Sequence, residues 1–209
     1  IAGAAITAQG EILDRIRIPN TGRSGPFIMD SYFKIIDTLR EKYEISAIGI
    51  GAGGRINPET GKVLYAVGIY KDYIGLEIKD ILQKRYKLPV AVDNDCRVAL
   101  YGEKWLGAIK DYNKVFGLIL GTGVGGGLLI DGTGVYGQNG GFGEIGHAIL
   151  HAGGRQCTCG QSGCVEQYLS GTALYKIYND RGVCPKISSG YEFFRILEEN
   201  ESCAESVIK

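Results

Sequence analysis

The sequence predicts an α/β fold in two lobes, and three observations predict it. Strand-like and helix-like segments alternate from Ile1 to Gly107, the pattern of helices packed on a sheet. From Val115 onward the character changes to glycine-rich β runs, then a cysteine-rich loop and further helices. The composition is that of a globular chain, with 23 Lys plus Arg balanced by 23 Asp plus Glu and 44% hydrophobic residues. At 209 residues it holds one large domain or two small lobes. Zero net charge excludes an extended nucleic-acid footprint resting on basic charge, and no apolar run approaches the roughly 18–20 residues of a membrane span. Glycine, at 33 residues, is about twice as frequent as the usual roughly 7%. Something in this backbone needs it.

Taken in order, Ile1–Ile6 and Ile12–Ile18 read as a hairpin about the turn Ala8-Gln9-Gly10-Glu11. The opening strand carries no basic flank and no signal cleavage pattern, which predicts a cytoplasmic protein. Tyr32, Ile35, Ile36, Leu39 and Tyr43 fall at helical spacing and predict a helix over 28–43. A short strand over 47–51 follows, then a polar loop through Gly53-Gly54-Arg55 and Asn57-Pro58-Glu59-Thr60-Gly61. A helix over 75–86 is stopped by Pro89. Val90-Ala91-Val92 is a short strand running into Asp93-Asn94-Asp95, whose side chains suit the N-terminus of a helix through Trp105. These elements make a first lobe over 1–110, and 111–209 makes the second. There, β runs over 115–120 and 127–130 flank Gly121-Thr122-Gly123-Val124-Gly125-Gly126, and a helix over 165–169 follows the cysteine loop.

Three groups of residues carry chemistry. Gly121 to Gly126 fits G-x-G-x-x-G, but a strand follows it where a dinucleotide site needs a helix. The glycines therefore read as a β turn, serving either the fold alone or phosphate oxygens held by backbone N–H groups and the Thr122 hydroxyl. His147 with Cys157, Cys159 and Cys164 places one imidazole and three thiols within eighteen residues, the donor set of a tetrahedral structural zinc site. His151 is the alternative fourth ligand. Cys157 and Cys159 sit too close for an unstrained disulfide, and Cys96, Cys184 and Cys203 read as ordinary thiols. Asp95, at a strand end and helix start, suits accepting a hydroxyl proton during phosphoryl transfer, with Asp93 competing for the role and capping as the plainer reading. Glu144 and Glu166 flank the metal loop, and carboxylates there accept hydrogen bonds from vicinal hydroxyls, which points to a polyol or sugar.

Taken together, Asn94-Asp95, Gly121-Thr122-Gly123-Val124-Gly125-Gly126-Gly127, Gly143-Glu144-Ile145-Gly146-His147 and the run from Cys157 to Glu166 resemble the ROK family. Its members are bacterial glucokinases, N-acetylmannosamine and N-acetylglucosamine kinases, and sugar-responsive repressors. The resemblance spans roughly residues 1–175. It implies an actin-like ATPase (ribonuclease H-like) fold of two lobes, with sugar and ATP in the cleft between them. It implies that Asp95 deprotonates the 6-hydroxyl of a hexose or N-acylhexosamine, with Asn94, Gly54 and Arg55 beside the sugar. Glu144, His147 and Glu166 match positions that hold ring hydroxyls, His147 using one ring nitrogen for zinc and the other for the sugar. Gly121, Thr122 and Gly123 match a phosphate-binding turn for ATP, which brings Mg²⁺ with it, and a homodimer is implied as the assembly. The alternative is the effector domain of a ROK-type repressor, with no nucleic-acid contact from this segment. The family's first phosphate motif, Asp-x-Gly-Gly-Thr, is expected just before Ile1, and its adenosine segment after Lys209. Cys96-Arg97 stands where small or amide residues are usual, and Val67 where the family can be polar.

Overall fold

The computed structural model describes residues 1–22, 24–67, 71–182, 185–199, 204, 207 and 208. Cys184 and Cys203 lie outside the described residues. The chain divides into two compact units, one of residues 1–112 with 136–141, the other of 113–135 with 142–209.

In the first unit, β1 (Ala2–Ile6) and β2 (Ile12–Arg17) form the antiparallel hairpin, with Ala2 opposite Arg17. Helix α1 (Gly25–Arg40) starts three residues before the predicted Ile28. Ser24 caps it by accepting the Phe27 N–H at 3.3 Å, and Pro26 in the first turn needs no donor of its own. The helix ends at Arg40, but Tyr43 N–H still bonds the Leu39 carbonyl at 2.9 Å. That extra turn is why the helical spacing runs on to Tyr43. Strand β3 (Ile48–Ala52) pairs in parallel with β6 (Val90–Asn94), Ile48 opposite Val90 and Ala52 opposite Asn94. Between them lie the short antiparallel pair β4 (Arg55–Ile56) and β5 (Val63–Tyr65), then helix α2 (Ile78–Tyr86). Helix α2 begins later than the predicted Gly75, because that residue turns the chain at φ +90° and gives its N–H to Val63. Helix α3 (Asp95–Leu106) follows β6 with no intervening loop. Ile56, Val63, Ile78, Leu82 and Val92 are buried together in the core against α1.

The second unit opens on the antiparallel meander β7 (Lys114–Leu120), β8 (Val124–Ile130) and β9 (Thr133–Gly134). The sequence suggested a turn through Gly126, yet β8 starts at Val124, with Gly125, Gly126 and Gly127 opposite Ile119, Leu118 and Gly117. Glycine supplies ladder N–H and carbonyl groups like any other residue but leaves no apolar alternation to read. Helices α4 (Glu166–Leu169), α5 (Gly171–Arg181) and α6 (Gly190–Glu198) complete the unit. Ser170 caps α5 through the Ala173 N–H at 3.0 Å, and Tyr178 meets Phe193 edge-on at 6.1 Å to pin α5 to α6.

Leu82 on α2 is fully buried, whereas Leu13 on β2 is 45% exposed. Leu82→Ala should lower the unfolding free energy by about 2–5 kcal/mol. Leu13→Ala should change it by about 0.5 kcal/mol or less. Urea denaturation of the two variants checks this contrast.

Candidate active site and metal centre

The junction of β6 and α3 holds the first group of site residues. Asn94 is extended, at φ −60° and ψ 138°, and caps α3: its Oδ1 accepts the Cys96 N–H at 3.0 Å and the Arg97 N–H at 3.2 Å. Its Nδ2 donates to the Gly54 carbonyl at 3.0 Å and to Asp95 Oδ1 at 3.1 Å. Asp95 Oδ1 also accepts the Cys96 N–H at 2.9 Å. Two donors thus fix one oxygen of an exposed carboxylate. Asp95, Gly51, Gly53, Gly54, Tyr32 and Tyr73 line a cavity of about 330 Å³.

Gly54 sits at φ +91°, and a side chain there would run into the Tyr65 carbonyl. Only glycine fits that bend. Its neighbour Arg55 does not line the cavity. The guanidinium lies 5.8 Å from the Tyr65 ring centroid and against Gly141. The structure brings Gly54, Asn94 and Asp95 together through the Asn94 side-chain amide. Tyr32, read from the sequence only as part of an apolar stripe, has its hydroxyl pushed up to about 12 by burial and by the Asp95 charge. Spacing alone could not separate a cavity-lining tyrosine from a core one.

In the second unit the turn Gly121–Gly123 joins β7 to β8. Gly121 N–H bonds the Gly123 carbonyl at 2.9 Å, and Gly171 N–H at the start of α5 bonds the Gly121 carbonyl at 2.8 Å. Glu166 Oε2 accepts the Val124 N–H at 3.0 Å, so this carboxylate supports the turn. Thr122 lines a second cavity of about 140 Å³ with Arg155, Thr158, Thr172 and Lys176 among its walls. Ser170 and Glu166 line it too, so two cations and four hydroxyls face one carboxylate, whose Oε2 is already taken by the Val124 N–H. Glu144 and His147 are half-buried and bracket a 3₁₀ turn, Ile145–His147. Gly146 within it packs so close to the Val124 carbonyl that any side chain would collide.

His147, Cys157, Cys159 and Cys164 converge, their donor atoms all within 4.8 Å of one another. His147 Nδ1 is 3.7 Å from Cys157 Sγ, and Cys159 Sγ is 3.7 Å from Cys164 Sγ. A tetrahedral ion with metal–sulfur bonds of about 2.3 Å has edges of about 3.8 Å, whereas a disulfide needs about 2.05 Å. The donor set and its spacing fit a metal ion and not a disulfide, and the four cysteines among the described residues form no disulfide. Burial pushes the Cys164 thiol up to about 12, with Cys159 and Cys157 adding to the rise. At Cys159 the Gln161 backbone N–H leads a shift downward. A divalent cation is the species that lets such crowded thiols ionise together. Gln167 Nε2 donates to Cys157 Sγ at 3.6 Å and Gln161 Nε2 to Cys159 Sγ at 3.8 Å, partners that ligand spacing did not reveal. His151 is exposed beside Tyr168, outside the cluster.

A family model described as ROK family matches residues 1–209. The chain belongs to the ROK family. It is 38% identical over 184 residues to a glucokinase of Halalkalibacterium halodurans, covering 83% of this chain and 54% of that one. It is 33% identical to an N-acetyl-D-glucosamine kinase of Salmonella typhimurium, covering 84% and 62%. Among solved structures, the ROK glucokinase of Streptomyces griseus in complex with glucose and AMPPNP superposes with a TM-score of 0.87 at 29% identity, over 99% of this chain and 70% of that one. A ROK transcriptional regulator, a homolog of the E. coli MLC protein, shares the fold with a TM-score of 0.85 at 24% identity. The fold is the actin-like ATPase architecture of the ROK sugar kinases, and the chain spans little more than half the length of the curated glucokinase it matches.

Asn94→Ala removes both the α3 cap and the donor to Gly54. It should destabilise the protein by about 1–2 kcal/mol, measured by thermal or urea unfolding, with the metal content unchanged.

Proposed function

We propose that this ROK protein is an ATP-dependent kinase that phosphorylates the 6-hydroxyl of a hexose or N-acylhexosamine. The observation that carries the reading is the Asp95 carboxylate at a cavity wall, with Oδ1 held by Asn94 Nδ2 and the Cys96 N–H. That leaves Oδ2 to accept the hydroxyl proton. The 6-oxygen attacks the γ-phosphorus of ATP and passes its proton to Asp95 as the new P–O bond forms, and ADP leaves with the pair of the broken P–O bond, giving the sugar 6-phosphate. Glucokinase and N-acetylglucosamine kinase relatives support the substrate class.

The remaining residues take roles that fit their positions. The Gly121–Gly123 turn and the adjoining cavity, with Thr122, Arg155 and Lys176, would meet phosphate oxygens of ATP, which carries its Mg²⁺. Glu144, His147 and the second oxygen of Glu166 would hold sugar hydroxyls; Gly54 and Asn94 lie beside the base. The metal at His147, Cys157, Cys159 and Cys164 is read as zinc, structural because all four positions are protein ligands. With Nδ1 facing Cys157, His147 keeps Nε2 for a sugar oxygen, so the metal orients a substrate contact. The alternative, the effector domain of a repressor, shares the fold. A held carboxylate at Asp95 favours the kinase, since sugar binding alone needs no base.

On the full-length protein, coupled ADP release should depend on glucose, N-acetylglucosamine or N-acetylmannosamine. Asp95→Asn, which keeps the Oδ1 acceptor, should lower kcat by at least about 100-fold. Absence of sugar-dependent turnover, or full turnover in Asp95→Asn, overturns the reading. Elemental analysis should find one zinc per chain, lost in Cys164→Ser. A wild-type protein free of zinc with its four ligands intact would sink the metal assignment.

A further inference from the structure

Asp93 competed with Asp95 in the sequence, and Tyr136 carried no role at all. In the structure Asp93 is 9% exposed and Arg97 1%, and the two form a buried ion pair. Arg97 Nε donates to Asp93 Oδ1 at 2.9 Å, while its guanidinium carbon lies 4.8 Å from the centroid of the Tyr136 ring. Tyr136 donates its hydroxyl proton to Asp93 Oδ2 at 3.0 Å. Tyr101 and Tyr136 hydroxyls are 3.1 Å apart, and with the Tyr136 proton committed to Asp93, Tyr101 is the donor of that pair. Burial, with Tyr101 and Asp93 beside it, pushes the Tyr136 hydroxyl well above the ordinary tyrosine range, which keeps it a donor.

A buried ion pair is a weak device for stability, because stripping water from both charges offsets most of their attraction. Its use here is directional. Asp93 Oδ1 also accepts the Asn94 N–H at 2.7 Å. Both oxygens of Asp93 are thus occupied, and the peptide of the next residue is locked to them. Asn94 in turn grips Gly54 and Asp95 Oδ1.

We propose that Arg97 and Tyr136 are positioning residues for phosphoryl transfer: by fixing Asp93 they fix the Asn94 peptide, and through Asn94 they aim the Asp95 carboxylate at the sugar hydroxyl. The proposal rests on Asp95 being the base. Its physical warrant is that displacements near an ångström at a reacting group cost up to about 100-fold in rate. A loss of one hydrogen bond two residues away should cost less than that.

The test is steady-state kinetics of the full-length protein with ATP and glucose or N-acetylglucosamine. Tyr136→Phe keeps the ring beneath Arg97 and removes only the hydroxyl. It should lower kcat about tenfold while sugar KM stays within about twofold. Arg97→Lys keeps the charge but loses the planar stack and the Nε donor, and should fall at least as far. Asp37→Asn, which breaks the exposed pair with Arg85 in the same unit, should leave kcat unchanged and so controls for general loosening. Rates are taken per folded molecule, from circular dichroism and zinc content. Wild-type kcat in Tyr136→Phe, or a raised KM at unchanged kcat, overturns the proposal; if Arg97→Lys does not fold, Tyr136→Phe alone decides. Asp95→Asn is measured beside them. Full turnover there overturns the base and the clasp together, whereas an inactive Asp95→Asn with an unimpaired Tyr136→Phe overturns the clasp alone.

Discussion

One side-chain amide, that of Asn94, joins a strand end, a helix start and a loop. Strand β6 ends in register with β3 at the Ala52–Asn94 pair, and α3 begins at the next residue. With no loop to absorb misfit, the first free amides of α3 need an acceptor at that point, and Asn94 Oδ1 takes two of them. The loop after β3 needs a donor for the Gly54 carbonyl, and Asn94 Nδ2 supplies it. Serine or aspartate would cap the helix equally well but lacks the second function. Aspartate would also set a second carboxylate against Asp95 Oδ1, where Nδ2 now donates. The choice of asparagine is thus fixed by geometry on both sides.

The second unit shows a comparable economy around Glu166. Cys164 is a donor of the metal cluster, Glu166 opens α4 two residues later, and Glu166 Oε2 holds the Val124 N–H at the end of the glycine turn. Five residues on, Gly171 N–H holds the Gly121 carbonyl at the other end of the same turn. A cation that fixes Cys164 therefore fixes, through a few bonds of rigid backbone, both ends of the turn read as a phosphate site. A metal held at that cluster would act on the geometry of a loop.

What the sequence could disclose follows from the range over which each signal acts. The β1–β2 hairpin, α1 and the β6–α3 junction rest on periodicity and capping chemistry, which are local, and they were legible. The convergence of His147 with Cys157, Cys159 and Cys164 was legible because three thiols spaced that closely have few other uses. The start of β8 was not, since Gly125, Gly126 and Gly127 carry no side chain whose alternation could be read. Asp93 and Tyr136 stand 43 residues apart, and nothing in the spacing announces their hydrogen bond. A long side chain such as Arg55 has several surfaces within reach, and spacing does not announce that its guanidinium lies by the Tyr65 ring and Gly141. Side chains on regular elements are predictable in direction; those that choose among neighbours are not.

A carboxylate is a far weaker base than an alkoxide. Were the reaction to require an alkoxide before phosphoryl transfer, the proposed role for Asp95 would be chemically weak. Phosphoryl transfer through a loose transition state makes no such demand, because the leaving group departs early and the hydroxyl proton is lost late. The carboxylate is then asked chiefly to orient the hydroxyl and receive its proton at the end. For that task position matters more than basicity. The density of hydrogen bonds behind Asp95, from Asn94, Cys96 and, one step removed, Asp93, fits a site selected for placement.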